Sequence, residues 1–182
     1  MIITISGKPG SGKTTAAKEV AKALGYKFFS AGDFRGKIAL EKGLTIDELN
    51  HLGKKDIWTD KIVDDELKKI GKSKENFVVD AWLGFYFIPN SIKIFLDIDL
   101  GEAAKRIFDN PRPDEEKKKN YIEVRHMIEK RLNDTAERYK QHYNLDYFDL
   151  SPYDKVIETT KMKQGDSAKE ILKFIKKIKK HD

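Results

Sequence analysis

The sequence predicts an α/β domain, a five-stranded parallel sheet covered on both faces by helices. Three observations carry this. Short apolar runs such as IITI, FVVD and IKIFLD each stop at a small or acidic residue. Between them lie longer stretches with apolar residues three and four apart, so strands alternate with helices, the pattern of a parallel sheet buried on both faces. The 182 residues supply one full core and too little chain for two ordinary domains, and no linker-like composition interrupts them.

Taken in order, residues 2–5 form the first strand and the glycine-rich segment after them a turn. Ala17, Val20, Ala21 and Leu24 share one face of a helix over 14–24, and Gly25 stops it. Residues 26–30 are the second strand. A helix over about 33–42 follows and ends at Gly43. Thr45 and Glu48 have capping-box spacing and open a short helix. Ile62, Val63, Leu67 and Ile70 mark another helix over 57–70. The third and fourth strands are 77–80 and 92–97, each ending in an aspartate, and a helix spans 101–108. The segment 110–120 carries two prolines and several lysines and breaks the pattern. A long polar helix covers 121–143 and the last strand 155–159. The closing helix aligns Ile171, Phe174, Ile175 and Ile178 against lysines on its other side.

Composition excludes whole classes of function. With no cysteine, the chain has no disulfide, thiolate metal site, iron–sulfur cluster or thiol nucleophile. No run of 18 apolar residues exists, and no basic segment leads into a long apolar one, so the expectation is a cytoplasmic protein with no membrane contact. The four histidines (His51, His126, His142 and His181) share no metal-ligand spacing and read as surface residues. The net charge is +6, yet only six of the 36 cationic residues are arginine. In a lysine background an arginine suits what lysine cannot do, the planar two-point grip on phosphate or carboxylate. Arg106, Arg112, Arg125, Arg131 and Arg138 fall within one stretch, and Arg35 follows Ser30-Ala31-Gly32-Asp33-Phe34. This clustering points to an anion site.

The strongest signal is Gly7-Lys8-Pro9-Gly10-Ser11-Gly12-Lys13-Thr14, followed by Thr15. It matches the phosphate-loop pattern G-x-x-x-x-G-K-[ST] and lies between a strand and a helix. Such a loop curls so that successive N–H groups point at one phosphate, with the positive end of the helix behind them. Lys13 then reaches between the β- and γ-phosphates of ATP, and the Thr14 hydroxyl is a Mg²⁺ ligand. Asp80, which ends a strand at the ligand edge of the sheet, is the preferred second Mg²⁺ group over Asp97. No N-K-x-D guanine motif is present, and the chain is too short for a motor ATPase. A small kinase remains.

At this point the sequence resembles the nucleoside monophosphate kinases, in particular the archaeal-type cytidylate kinases, over essentially its whole length. The resemblance is carried by GKPGSGKTT (7–15), SAGDFR (30–35), RYKQHYNLDYFDLSPYDKVIETT (138–160) and the pair Arg131 and Arg138. It implies a P-loop kinase fold in one domain, 1–182, with an acceptor-binding insert at about 31–71 and a lid at about 109–140. It implies that ATP lies on the loop, that Ser30, Gly32, Asp33 and Arg35 hold the monophosphate, and that Lys13, Arg131 and Arg138 contact the transferring phosphates. Asp60 matches a family position near the monophosphate. Its carboxylate is expected to accept from the cytosine amine, which favours CMP or dCMP, permits AMP and disfavours UMP. Where the family reads E-G-R-L, this chain has Asp80-Ala81-Trp82-Leu83. A flat ring at Trp82 can stack on a base but cannot bind phosphate. The expected partners are ATP and a nucleoside monophosphate, with no nucleic acid, and the expected state is a monomer. The readings set against this are an adenylate kinase-like enzyme, an ATPase acting in RNA or ribosome assembly, suggested by a pI near 9.2, and a nucleotide-binding regulator.

Overall fold

The computed structural model describes residues 1–55, 58–111 and 118–179. Within them lies one parallel sheet of five strands: β1 (Ile2–Gly7), β2 (Lys27–Ser30), β3 (Phe77–Asp80), β4 (Ile92–Asp97) and β5 (Lys155–Glu158). Their spatial order is β2-β3-β1-β4-β5, with every neighbouring pair parallel. β1 sits at the centre, which is why its run IITI has no polar alternation beyond the buried Thr4.

Helices α1 (Lys13–Leu24), α2 (Ala31–Glu41), α3 (Ile46–Lys55), α4 (Trp58–Gly71), α5 (Gly84–Phe87), α6 (Leu100–Asp109), α7 (Tyr121–Tyr143) and α8 (Asp166–Ile178) follow the expected spacing to within a few residues. The four-residue α5 was not legible. One core packs Ala17, Val20 and Ala21 of α1 and Ile171 and Ile175 of α8 against Ile3, Ile5, Val78, Ile94 and Leu96. Val79, the next residue along β3, points the opposite way and joins Leu67 and Ile70 of α4 and Ile88 in a second core. A third core joins Ile98, Ala103 and Ala104 to Val124, Ile128 and Leu132, and so seats α7 on α6.

Caps place the helices that matter for the site. Ser30 accepts from the Asp33 N–H at 3.1 Å, so α2 starts at the very end of β2, two residues earlier than expected. Thr45 and Glu48 form a reciprocal capping box, with Thr45 N to Glu48 Oε2 at 2.7 Å and Glu48 N to Thr45 Oγ1 at 3.2 Å. Asp99 caps α6 by accepting from the N–H groups of Gly101 and Glu102. The stretch 31–71 expected as the acceptor insert is therefore α2, α3 and α4. Residues 112–117 of the expected lid, with Arg112, lie outside the described residues, as does His181. No helix among the described residues is long and apolar enough to cross a membrane.

Candidate active site

The carboxyl edge of the sheet gathers the sequence-marked residues. β1 ends at Gly7, whose φ of +146° and contact with β4 both demand glycine: a Cβ there would lie 2.2 Å from the Leu96 carbonyl oxygen. The chain then curls, with Lys8 N–H donating to Leu96 O at 3.2 Å. The loop is braced from within. Ser11 Oγ donates to the Lys8 carbonyl at 2.8 Å, and Lys13 Nζ donates to the same oxygen at 2.8 Å. Gly12, in the left-handed region at φ 84°, hands the chain into α1 with no side chain over its N-terminus. Gly7, Gly10 and Gly12 put no side chain in the way of the loop's backbone N–H groups, which with Lys13 are the donors an anion would meet. Thr15 is exposed on the first turn of α1.

Thr14 Oγ1 donates to Asp80 Oδ2 at 2.5 Å, joining the start of α1 to the end of β3. Asp97, at the end of β4, is committed elsewhere: its Oδ1 lies 2.6 Å from Lys8 Nζ. The two aspartates therefore have different partners, a hydroxyl for Asp80 and an ammonium for Asp97. A hydroxyl and a carboxylate in contact are the hard oxygen donors that suit Mg²⁺, which takes few protein ligands and completes its shell with phosphate and water. No cluster of three or more His, Asp or Glu side chains suited to a metal occurs among the described residues, so an all-protein metal cage is not the pattern here.

A second cluster of charged side chains is built where α2, α4 and α7 meet. Arg35 of α2 reaches α4, where its Nη1 donates to Asp60 Oδ1 at 2.9 Å and to the Thr59 carbonyl at 3.0 Å. Its Nη2 donates to Thr59 Oγ1 at 3.2 Å. Arg138 of α7 approaches the same carboxylate, with Nε 3.3 Å from Asp60 Oδ2 in ion-pair contact but without hydrogen-bond alignment. Asp60 is only 7% exposed. The residue expected to read the base thus has both carboxylate oxygens facing guanidinium groups. Burial, then the nearby Arg138 charge, push the Arg35 pKa down, while the Asp60 charge pushes it up.

One helical turn further along α4, the buried Asp64 accepts from Tyr143 Oη at 2.7 Å. Burial pushes the Asp64 carboxyl up to about 6, against the opposing effect of that hydrogen bond and with the Asp60 charge adding to the rise. Burial and the Asp64 contact also hold the Tyr143 phenol above its ordinary range. Neither Asp64 nor Thr59 was singled out in the sequence. Both sit one residue or one turn from Asp60, so helical spacing from that residue was the signal available.

The arginine cluster divides. Arg131 lies over the Trp82 ring, its guanidinium carbon 5.6 Å from the centroid, and Trp82 in turn packs on Tyr147 at 5.3 Å. Arg131 and Arg138 stand two turns apart on α7, but they meet different partners. Arg106 is a structural tie: its Nη2 donates to the carbonyls of Thr159, Thr160 and Met162 at 2.9–3.1 Å. Arg125 pairs with Glu129 on an exposed face. The inference that all five arginines attend an anion is corrected for these two. Sequence clustering reported their sharing of α6 and α7, not their orientation. The aromatic residues of 139–153 are packing, as Tyr139, Tyr143, Tyr147 and Phe148 contact one another in series and Tyr153 packs on Phe85 and Phe95. His126 is exposed as expected. His142 is not a simple surface residue, since its Nε2 is enclosed without a hydrogen-bond partner.

A model of the cytidylate kinase-like family matches residues 2–161. The cytidylate kinase of Methanocella arvoryzae is 34% identical over 180 residues, which cover 99% of each chain. The S-adenosylmethionine-dependent nucleotide dehydratase of Lacinutrix mariniflava is 32% identical over 176 residues, 96% of this chain but only 36% of that longer protein. Among solved structures, the shikimate kinase of Bacteroides thetaiotaomicron superposes with a TM-score of 0.67 at 14% identity, covering 97% of this chain and 98% of that one, a likeness of fold alone. With the loop, the strand edge and the arginine pair in these places, the chain belongs to the cytidylate kinase-like family.

Proposed function

We propose that this protein transfers the γ-phosphoryl group of ATP to CMP or dCMP, releasing ADP and the pyrimidine nucleoside diphosphate. The single observation that carries this is the pairing of two groups of anion-binding side chains and loops with the carboxyl ends of neighbouring strands, after β1 and after β2. One is the loop 7–15 with its Thr14–Asp80 contact; the other is the Arg35 and Arg138 pair meeting at Asp60. Membership of the cytidylate kinase-like family supports the acceptor class.

In this reading the loop N–H groups hold the β-phosphate of ATP, and Lys13 lies along the β- and γ-phosphates. Thr14 and Asp80 are the residues that hold Mg²⁺, which lowers the charge repulsion on the triphosphate when bound. On the other side Ser30, Gly32, Asp33 and Arg35 hold the monophosphate. An oxygen of that phosphate attacks the γ-phosphorus in line, and the bond to the β-bridging oxygen breaks, with ADP as leaving group. No covalent enzyme intermediate is needed, so the protein's work is alignment and charge neutralisation. Arg131 and Arg138 supply the latter from α7, with Arg131 backed by Trp82. The acceptor insert 31–71 and the lid 109–140 close around the nucleotides to keep water from taking the phosphoryl group.

A coupled assay of ADP release over CMP, dCMP, UMP and AMP, with RNA as a separate sample, tests this directly. CMP and dCMP are expected to lead. Release driven by RNA alone would replace the reading with an RNA-linked ATPase, and release driven only by AMP would replace it with an adenylate kinase.

A further inference from the structure

We propose that Asp60 is a positioning residue, whose one carboxylate holds the acceptor-side Arg35 and the lid-helix Arg138 together so that both are set toward the same phosphate. This rests on the phosphotransfer reading above and assigns the carboxylate a different task from reading the base.

The side chains involved are nearly enclosed: Asp60 is 9% exposed, Arg35 12% and Arg138 14%. Two guanidinium groups brought together in such a place repel, and a buried charge without its partner is strongly destabilising. Asp60 removes that conflict by placing one oxygen at each arginine, 2.9 Å from Arg35 Nη1 and 3.3 Å from Arg138 Nε. The two arginines come from distant parts of the chain, α2 and α7, so no local rule of helix geometry brings them together.

The surroundings are shaped for the same junction. Thr59 takes two N–H groups of Arg35, through its carbonyl and its hydroxyl, and so fixes the plane of that guanidinium. On α3, Gly53 gives the arginines room. A Cβ at that position would fall 2.5 Å from Thr59 Oγ1, 3.2 Å from Arg35 Nη2 and 3.7 Å from Arg138 Nη1. Three helices therefore meet at one carboxylate, and a fourth, α3, packs against its arginines. With so little of it accessible and an arginine beside each oxygen, the carboxylate is poorly placed to receive an incoming base amine.

The proposal separates cleanly from base reading in one experiment on the full chain. Wild type, Asp60→Asn, Asp60→Glu and Thr59→Val are compared for kcat, for KM of ATP and for KM of CMP and UMP. Calorimetric binding of inorganic phosphate and thermal melting are measured on each. In Asp60→Asn the KM for CMP is expected to rise about 10-fold and kcat to fall by a similar factor, the scale of a catalytic group displaced by a fraction of an ångström. CMP and UMP should suffer equally, the KM for ATP should stay within about twofold, phosphate binding should weaken, and Asp60→Glu should restore part of the loss. An unchanged or lower KM for CMP in folded Asp60→Asn overturns the proposal, as does a loss confined to CMP, which would return Asp60 to the base. Should Asp60→Asn fail to fold, Thr59→Val decides: about a threefold rise in KM for CMP with that for ATP unchanged supports the junction, and no change overturns it. If wild type phosphorylates no monophosphate, the kinase reading falls by itself. Phosphate binding that still depends on Asp60 then upholds the junction, and phosphate binding that does not, or none at all, removes it.

Discussion

In the proposed reading, the donor end at the loop 7–15 and the acceptor end at the Arg35–Asp60–Arg138 junction would hold phosphate in opposite ways. At the donor end the groups come from one unbroken stretch, 7–15, and the donors are mainly backbone N–H groups set by glycine dihedrals and braced by Ser11 and Lys13 on a single carbonyl. At the acceptor end they are long side chains from α2, α4 and α7 that meet through a carboxylate. Backbone donors are fixed once the strand and helix are fixed. Side-chain donors are fixed only when the helices carrying them are in place, and their like charges have to be balanced within the protein. A donor site of the first kind is rigid and local; an acceptor site of the second kind is responsive to domain closure and to any change in its counter-charge.

The largest expected effect breaks the donor side. Lys13→Ala removes the charge proposed to lie beside the transferring phosphate and the hydrogen bond to the Lys8 carbonyl, but no part of the core around α1. Turnover should fall by about 10²-fold or more with melting almost unchanged, as when a preorganised electrostatic group is lost. Steady-state kinetics beside a melting curve checks it, and near-normal turnover would remove the loop from the mechanism.

On the acceptor side the next effect is smaller and unequal. Lysine in place of Arg138 keeps the charge but cannot keep an Nε at Asp60 while also presenting a planar fork. Arg138→Lys should lower kcat about 10-fold, and Arg131→Lys, whose partner is an aromatic face rather than a carboxylate, should lower it less. Equal losses would mean that the two arginines do the same job, and that their different surroundings are incidental. Removing the ring itself by Trp82→Leu should cost only about two- to fivefold in kcat, the worth of a cation–π contact between half-buried groups that stay partly hydrated.

The contrast between the two ends also explains what was legible in the sequence. The loop could be read to the residue because its chemistry is a local pattern, with the strand before it and the helix after it as context. The sheet could be read because β1, β3 and β4 are largely buried and so carry apolar runs interrupted only by Thr4 and Lys93. Arg35 and Arg138 were visible as residues, but nothing in a linear spacing of about a hundred residues says that both turn to Asp60. Arg106 and Arg125 looked equivalent to Arg131 until the helix faces were known. Trp82 stood out by its type, while its partner Arg131 came from tertiary packing. The Asp64–Tyr143 pair was hidden for a further reason, since a carboxylate and a phenol on charged helices read as solvated groups.

That pair offers the finest test of how tightly the acceptor helices are bound to the lid helix. Asp64 of α4 and Tyr143 of α7 join the same two helices as Asp60 and Arg138, one turn away, through a hydrogen bond of 2.7 Å in a buried place. Burial raises the Asp64 carboxyl from its ordinary 3.8 to about 6; the nearby Asp60 charge adds to this, and Tyr143 and Lys68 oppose it. The sign follows from which state holds the proton. Between pH 4 and 6 the folded protein keeps a proton on Asp64 that the unfolded chain has released, so raising the pH through this window costs the folded state stability. In Asp64→Asn the amide oxygen can still accept from Tyr143 and no charge develops. The melting temperature of Asp64→Asn minus that of wild type should therefore climb from pH 4 to pH 6 and then level off, by about 2–4 °C for every kcal/mol that wild type loses in a chain of this size. Melting both proteins at half-unit steps of pH measures that difference. A difference that stays flat across the window would mean that Asp64 ionises as freely as a surface residue, and that α4 and α7 are not closed over it in solution.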